Sequence, residues 1–370
     1  MMSLKRLLDK LKHLNRQRNL KTKILKKKIY FSYISLIKIR SSLVPAKYKN
    51  ITILMTDLGI GDVIVASFLI KSLRDSSFNV SVIVEERIAY LFDGFIDVDK
   101  KILFGDLDLL KKQVKDNRID LLIDLMDIND LTEKRIQIIH TIKPKHTIGF
   151  NQKNHVYDTS IKYKKYHDHF TSRMTTILNL LNVKFNDVKY YFNLPPSAYD
   201  EVNNFLFEHK INNKKIIAFN PFGSFSEKSF SYQQINNIIN FMSKYEDSVL
   251  IIIGEKNKLS LINNVHKNVF IGNFSSFFAS IALVELCDLL ISVDTSIVHV
   301  GNAFNKKLIS IYSNMQIGEF DSNIAWAPNY GNAKQIFTKE YKRTSIGDDI
   351  SKMELDELFK EIEQDIALKY

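Results

Sequence analysis

What the chain lacks narrows it first. Only one of its 370 residues is a cysteine, Cys287. An internal disulfide needs two, so a disulfide-built secreted fold and a multi-cysteine zinc site are both excluded. Twelve glycines and six prolines are too few for a collagen-like or proline-rich low-complexity chain. No apolar run approaches the roughly 20 residues that a membrane span needs. The most apolar stretch near the start, 29–39, is broken by Ser32, Ser35 and Lys38. A signal peptide would join a short basic segment to a continuous apolar core and a small-residue cleavage site. That pattern is missing, so a cytosolic location is expected. The rest is ordinary globular composition, 45% hydrophobic and 25% charged, at a length that suits two domains.

Acidic residues are nearly missing from one end. The first fifty residues hold fifteen Lys/Arg and a single acid, Asp9, which gives them +14 against a net +11 and leaves the other 320 residues at −3. The body is therefore not basic, and no nucleic-acid partner is expected for it. Within the basic end, Leu4, Leu7, Leu8, Leu11 and Leu14 fall on one helical stripe, flanked by Lys5, Arg6, Lys10 and Lys12. A basic amphipathic helix of this kind can lie on an anionic membrane surface through residues 1–40, or dock on the protein's own body. The first reading predicts peripheral association with an anionic leaflet.

From residue 51 the chain alternates short apolar runs with helical stretches. Strands are predicted at 51–55, 79–84, 119–125 and 146–150, with a helix over 63–73. After Pro195-Pro196 the pattern restarts, with strands at 215–220, 249–254, 268–271, 289–293 and 308–312. Helices are predicted near 232–245, 298–304 and 351–366. Strands alternating with helices imply parallel sheets with crossover helices. The expected organisation is a basic extension (1–50), an N-terminal Rossmann-like domain (51–195), a C-terminal one (196–345) and a last helix (346–370) that crosses back. A ligand belongs at the carboxyl ends of such strands, in the cleft between the domains.

Three loops at strand ends carry candidate chemistry. Gly59-Ile60-Gly61 follows a strand and opens a helix, where backbone N–H groups can approach an anion. A dinucleotide fingerprint would need a third glycine at Ile64, and Asp62 would set a carboxylate against the pyrophosphate. Glu85-Glu86 could imitate the ribose-binding acid, but the mismatches at Ile64 and Asp62 make that reading poor. Asp62 suits a general base, or a simple helix cap, and capping is the commoner use. The second loop, Asn220 to Phe230, includes Gly223 and one lysine, Lys228. That lysine is ordinary surface unless it faces a phosphate. The third, Ser292 to Ala303, ends a strand in Asp294-Thr295-Ser296 and begins a helix carrying His299. Its N–H groups and hydroxyls form either an anion cradle or an N-cap. Asp106-Leu107-Asp108 reads as solvated charge, and His167-Asp168-His169 has the wrong spacing for two ligands on one helical face. No metal is expected.

In this order and at these separations, the segments resemble glycosyltransferase family 9, the bacterial lipopolysaccharide heptosyltransferases, over about residues 51–340. The resemblance rests on Gly61-Asp62-Val63 with its apolar helix, Asn220-Pro221-x-Gly223 with Lys228, and Val293 to Val300 followed by Lys307 to Tyr312. The chain departs from the family at Ser296, where glycine is common, at Phe68-Leu69, where a Leu-Pro pair is common, and in its basic extension. The resemblance implies a two-domain GT-B fold, and an inverting, metal-independent enzyme needing no cofactor. It implies transfer of heptose from ADP-heptose to an inner-core lipopolysaccharide or lipooligosaccharide acceptor. Asp62 would be the base, with Gly59 and Gly61 in the acceptor-side loop. Lys228, Asp294, Thr295, Ser296, His299, Asn220 and Gly223 would hold the donor, with Glu255 on its ribose. Asp62 and Lys228 would then lie on different domains, and closure would assemble the site. The alternatives are a GT-B transferase using another nucleotide-sugar for capsule or surface glycan, and an inactive protein that only binds a nucleotide-sugar.

Overall fold

The structure, a computed structural model, describes Arg18, Thr22, Leu25, Lys26, Ile29, Tyr33 and residues 41–115, 118–126, 133–150, 156–162, 168–211, 213–263, 266–314, 316–317, 320–340 and 348–367. The leucine stripe 4–14 lies outside the described residues. No helix among the described residues is long and apolar enough to cross a membrane.

The chain divides into two compact units that do not follow its order. The first holds the described parts of Met1–Thr56, Phe78–Glu85 and Lys100–Tyr163. The second holds Asp57–Ser77, Glu86–Asp99 and the described parts of Lys164–Tyr370. Six parallel strands build the first: β1 (Asn50–Leu54), β2 (Asn79–Val84), β3 (Lys100–Leu103), β4 (Leu121–Asp124), β5 (His146–Phe150) and β6 (Thr159–Ile161). They lie in the order β3-β2-β1-β4-β5-β6, with Leu54 opposite both Ile83 and Asp124. The central strands β1 and β4 are buried on both faces and are mostly apolar, with Thr52 and Asp124 as buried polar exceptions. Edge strands β3 and β6 escape the pattern, because Lys100-Lys101 and Thr159-Ser160 are only half-buried.

Between β1 and β2 runs α1 (Ile60–Asp75), while α2 (Leu107–Val114) and α3 (Glu133–Ile142) belong to the first unit. Asp106, read as solvated charge, is the N-cap of α2: its Oδ1 accepts the Leu109 N–H at 2.7 Å. Residues 41–50 are pinned across the amino ends of the strands. Ser41 Oγ reaches His146 Nδ1 at 2.7 Å, and Asp120 Oδ2 accepts the N–H groups of Lys49 and Asn50 at 3.0 and 2.9 Å.

The second unit repeats the plan. Its strands are β7 (Lys215–Asn220), β8 (Ser248–Ile252), β9 (Val269–Ile271), β10 (Leu289–Val293), β11 (Leu308–Tyr312) and β14 (Ala333–Phe337), in the order β14-β11-β10-β7-β8-β9. A small hairpin, β12 (Gln316–Ile317) with β13 (Phe320–Asp321), precedes the edge strand β14. The helices are α4 (Thr171–Leu180), α5 (Pro196–Glu208), α6 (Tyr232–Met242), α7 (Phe277–Leu286), α8 (Ser296–Ala303) and α9 (Asp356–Ala367). α9 packs into the same core: Leu358 and Ile362 join Ile235, Ile238 and Leu250, and Phe359 stacks on Phe241 at 4.3 Å.

α1 also belongs to this second unit, packed against α4 and α8. Its sequence gives the reason. Val63 to Ile70 are all buried, so it is apolar on every side rather than along one stripe. A helix of that kind needs neighbours all round. Asp62 and Lys228, expected on separate domains, therefore fall within one compact unit.

Candidate active site

Two helix starts meet in the second unit. The turn after β1 leaves the strand through Asp57, whose φ of 63° is a left-handed conformation that aspartate tolerates. Gly59 is the N-cap of α1, and its N–H donates to Asp62 Oδ2 at 2.6 Å. Asp62 is thus a cap, as elementary mechanics predicts, and is held at one geometry. Burial pushes its pKa up to about 6, against the opposing pull of the Gly59 N–H and the Arg87 guanidinium.

Gly61 faces α8. A Cβ there would stand 3.3 Å from the His299 ring and 3.5 Å from Ser296 Cα. Glycine permits this close approach of one helix start to another. Thr295 caps α8, with its Oγ1 accepting the Ile297 N–H at 3.4 Å. The two helix starts therefore lie side by side, and the start of a helix carries N–H groups and a positive dipole end that suit an anion.

The Asn220 loop flanks this point. Asn220 Nδ2 donates to Ser292 Oγ at 3.0 Å and to Thr295 Oγ1 at 2.9 Å, which joins the end of β7 to the start of α8. Lys228 Nζ lies 2.9 Å from Asp294 Oδ2, with both side chains mostly buried. Gly223 closes the loop: a Cβ there would stand 2.5 Å from the Lys228 carbonyl oxygen. Its N–H donates to Ser229 Oγ at 2.9 Å. Lys228, Asp294, Thr295, Asn220 and Gly223 are therefore one linked cluster, with Ser296, His299, Gly59, Gly61 and Asp62 on the adjoining helix starts.

Glu255 stands apart from that cluster. It is exposed at the end of β8 and pairs with Lys258 at 3.2 Å. Lys258 Nζ also donates to the Gly223 carbonyl at 3.3 Å, so it ties Glu255 to the loop. Sequence reasoning missed Lys258; its i,i+3 spacing from Glu255 was the available signal. Glu85 pairs with Lys134 at 2.6 Å in the first unit.

His299 is neutral here. Burial lowers its pKa to about 4, and its Nδ1 is buried with no hydrogen-bond partner among the described residues. The rings of Tyr190 and Trp326 meet it edge-on at 6.0 and 6.2 Å. His169, weighed only as a metal ligand, accepts or donates at Thr171 Oγ1 (2.8 Å) and donates to the Ala327 carbonyl (3.1 Å). Burial, and then the neighbouring His299, lower its pKa to about 3.

The arrangement offers a carboxylate, a lysine and two helix starts at one place, in a chain built on two Rossmann-like sheets. The sequence profile of glycosyltransferase family 9 (heptosyltransferase) matches residues 108–351. The chain belongs to this family, and it is a glycosyltransferase with the GT-B fold. A curated Escherichia coli (strain K12) protein, provisionally named lipopolysaccharide heptosyltransferase 4, is 24% identical over 314 residues, spanning 80% of this chain and 84% of that one. A solved family 9 glycosyl transferase from Veillonella parvula DSM 2008 superposes with a TM-score of 0.70 at 15% identity, covering 89% of this chain and all of the other. The Escherichia coli ADP-heptose lps heptosyltransferase II superposes with a TM-score of 0.63 at 13% identity, over 86% and 98% of the two chains.

Proposed function

We propose that the protein transfers heptose from ADP-heptose to an inner-core lipopolysaccharide or lipooligosaccharide acceptor, with inversion at the anomeric carbon. The observation that carries this reading is the meeting of the Asp62 helix start with the Ser296–His299 helix start beside the Lys228–Asp294 pair. The ADP-heptose in the name of one superposed enzyme and the lipopolysaccharide in that of the curated relative support the choice of substrates.

An acceptor hydroxyl is a weak nucleophile. The Asp62 carboxylate takes its proton as the oxygen attacks the anomeric carbon, and the bond to the diphosphate breaks on the opposite face. Negative charge gathers on the departing ADP. Lys228 and the start of α8 meet it, in a site already polarised for an anion. The fixed Gly59–Asp62 bond keeps the base from having to find its position during the reaction.

Donor identity is tested by thermal stabilisation with ADP, UDP, GDP and CMP at equal concentration, because a ligand of the folded state alone raises its stability. Selective stabilisation by ADP is expected. Selective stabilisation by UDP or GDP would replace the donor. Lys228→Ala is expected to raise the donor KM and lower kcat by about 10- to 100-fold together, the scale of a lost charged hydrogen bond. Unchanged constants would remove Lys228 from the site.

The basic end supports a further part of the reading, that residues 1–40 hold the enzyme against an anionic leaflet. Each basic residue near such a surface contributes about 1 kcal/mol. The described helical residues Leu25, Ile29 and Tyr33 are 58%, 62% and 60% exposed, apolar surface on a basic segment. Because Ser41 is pinned to His146, the cut belongs before Ser41. Removing 1–40 is expected to abolish co-sedimentation with phosphatidylglycerol vesicles while leaving turnover of a soluble acceptor intact. Equal sedimentation of both forms would end this part of the proposal.

A further inference from the structure

We propose that Arg87 is a positioning residue for the transfer: its guanidinium holds the Leu58 carbonyl and so fixes the turn that presents Asp62. This rests on the reading of Asp62 as the base. Arg87 lies on the short helix Glu86–Ala89, just past the end of β2. Its Nη2 donates to the Leu58 oxygen at 2.5 Å, across 29 positions of sequence. Leu58 is buried, and the next residue, Gly59, is the one whose N–H grips Asp62 at 2.6 Å. The contacts form one chain: guanidinium, carbonyl, amide, carboxylate.

Arg87 is itself largely exposed, whereas the carbonyl it holds belongs to a buried residue. A solvent-facing arginine whose fork turns inward onto a main-chain oxygen braces the turn from outside. It also sets a positive charge where it favours the ionised carboxylate. His299, against Gly61 on α8, is neutral, and Lys228 is compensated by Asp294. Arg87 therefore serves two ends: it restricts where the base sits, and it keeps the base available at neutral pH.

Three variants of the full chain separate these effects. Arg87→Gln keeps a donor for Leu58 without the charge, Arg87→Lys keeps the charge without the planar fork, and Arg87→Ala removes both. The readouts are kcat and donor KM with ADP-heptose and a soluble inner-core acceptor, stabilisation by ADP, and carboxyl-carbon NMR titration of Asp62, assigned by its loss in Asp62→Asn. Arg87→Ala is expected to lower kcat about 10- to 100-fold, the scale of a slightly misplaced catalytic group, with donor KM and ADP stabilisation unchanged. The Asp62 titration is expected to move upward in Arg87→Gln and Arg87→Ala, and to stay near the parent in Arg87→Lys. Parent-like kcat and titration in all three variants would overturn the proposal. So would a parallel loss of ADP stabilisation, which would make Arg87 a general structural residue. An active Asp62→Asn would instead overturn the base assignment, and that result does not depend on the Arg87 variants.

Discussion

Asp62→Asn is expected to lower kcat by about 10²- to 10⁴-fold, the usual worth of a positioned general base. The substitution is close to isosteric. The asparagine oxygen can still accept the Gly59 N–H, so the cap of α1 survives, but it cannot take a proton. Stabilisation by ADP is expected to match the parent, because the proposed donor contacts lie on Lys228 and α8. Protein stability is expected to hold or rise at neutral pH. Burial raises the Asp62 pKa from 3.8 to about 6, so the ionised form is disfavoured in the folded state. That penalty appears as pH rises from about 4 through 6 and is complete above 6. The same shift governs the parent's activity with the opposite sign: kcat/KM is expected to climb with pH through about 6 as the base ionises. An asparagine variant with parent-like kcat, or a parent whose acid limb lies near the ordinary carboxylate range, would place the base elsewhere.

The largest expected loss of stability lies in the first unit. Arg135 on α3 is fully buried, and its five N–H donors all have acceptors: both Asp124 oxygens, the Leu54 and Thr56 carbonyls, and Thr56 Oγ1. Asp124 also accepts from the Tyr157 hydroxyl and from the Met126 N–H. Arg135→Met leaves the Asp124 carboxylate buried without its cation, which is expected to cost about 3–5 kcal/mol in denaturant unfolding. Asp124→Leu combined with Arg135→Met is expected to recover much of that loss, because it removes the stranded charge along with its partner. A cost below about 1 kcal/mol for the single variant would show that the pair is not desolvated as described. Since Arg135 holds Leu54 and Thr56, the residues that lead into the Asp62 turn, activity is expected to fall with stability in the single variant.

The buried strands were legible because their residues face apolar surroundings on both sides. The runs 79–84, 146–150, 215–220, 289–293 and 308–312 coincide with strands to the residue. β3, β6 and β14 were not read as strands, since an edge strand needs apolar residues on little of its surface and Lys100-Lys101, Thr159-Ser160 and Lys334-Gln335 give no run. The site's parts were legible as loops at strand ends. Asn220, Lys228 and Asp294 each stood where a strand hands over to a helix; the structure pairs Lys228 with Asp294 and bonds Asn220 to Ser292 and Thr295. Arg87 was illegible, because its meaning lies in one contact with a main-chain oxygen 29 positions away. His169 sat in a triplet whose spacing does not suit a metal, and in the structure it bonds Thr171 and Ala327. The assignment of α1 to the second unit also lay beyond sequence pattern. The apolar character of Val63 to Ile70 was plain, but not which neighbours would cover it.

That assignment bears on how the chain is made. α1 leaves the ribosome long before its partners, since it ends at Asp75 while α4 begins at Thr171 and α8 at Ser296. Ten of its residues are buried in the finished protein, and the two helices it packs against are not yet made in the interval. At the usual pace of translation this lasts about ten seconds or more. The nascent chain thus carries an apolar helix without those two partners through much of its synthesis, together with the carboxylate proposed as the base. A ribosome stalled before α8 would display that helix to chaperones, and no C-terminal fragment begun after it would hold Asp62.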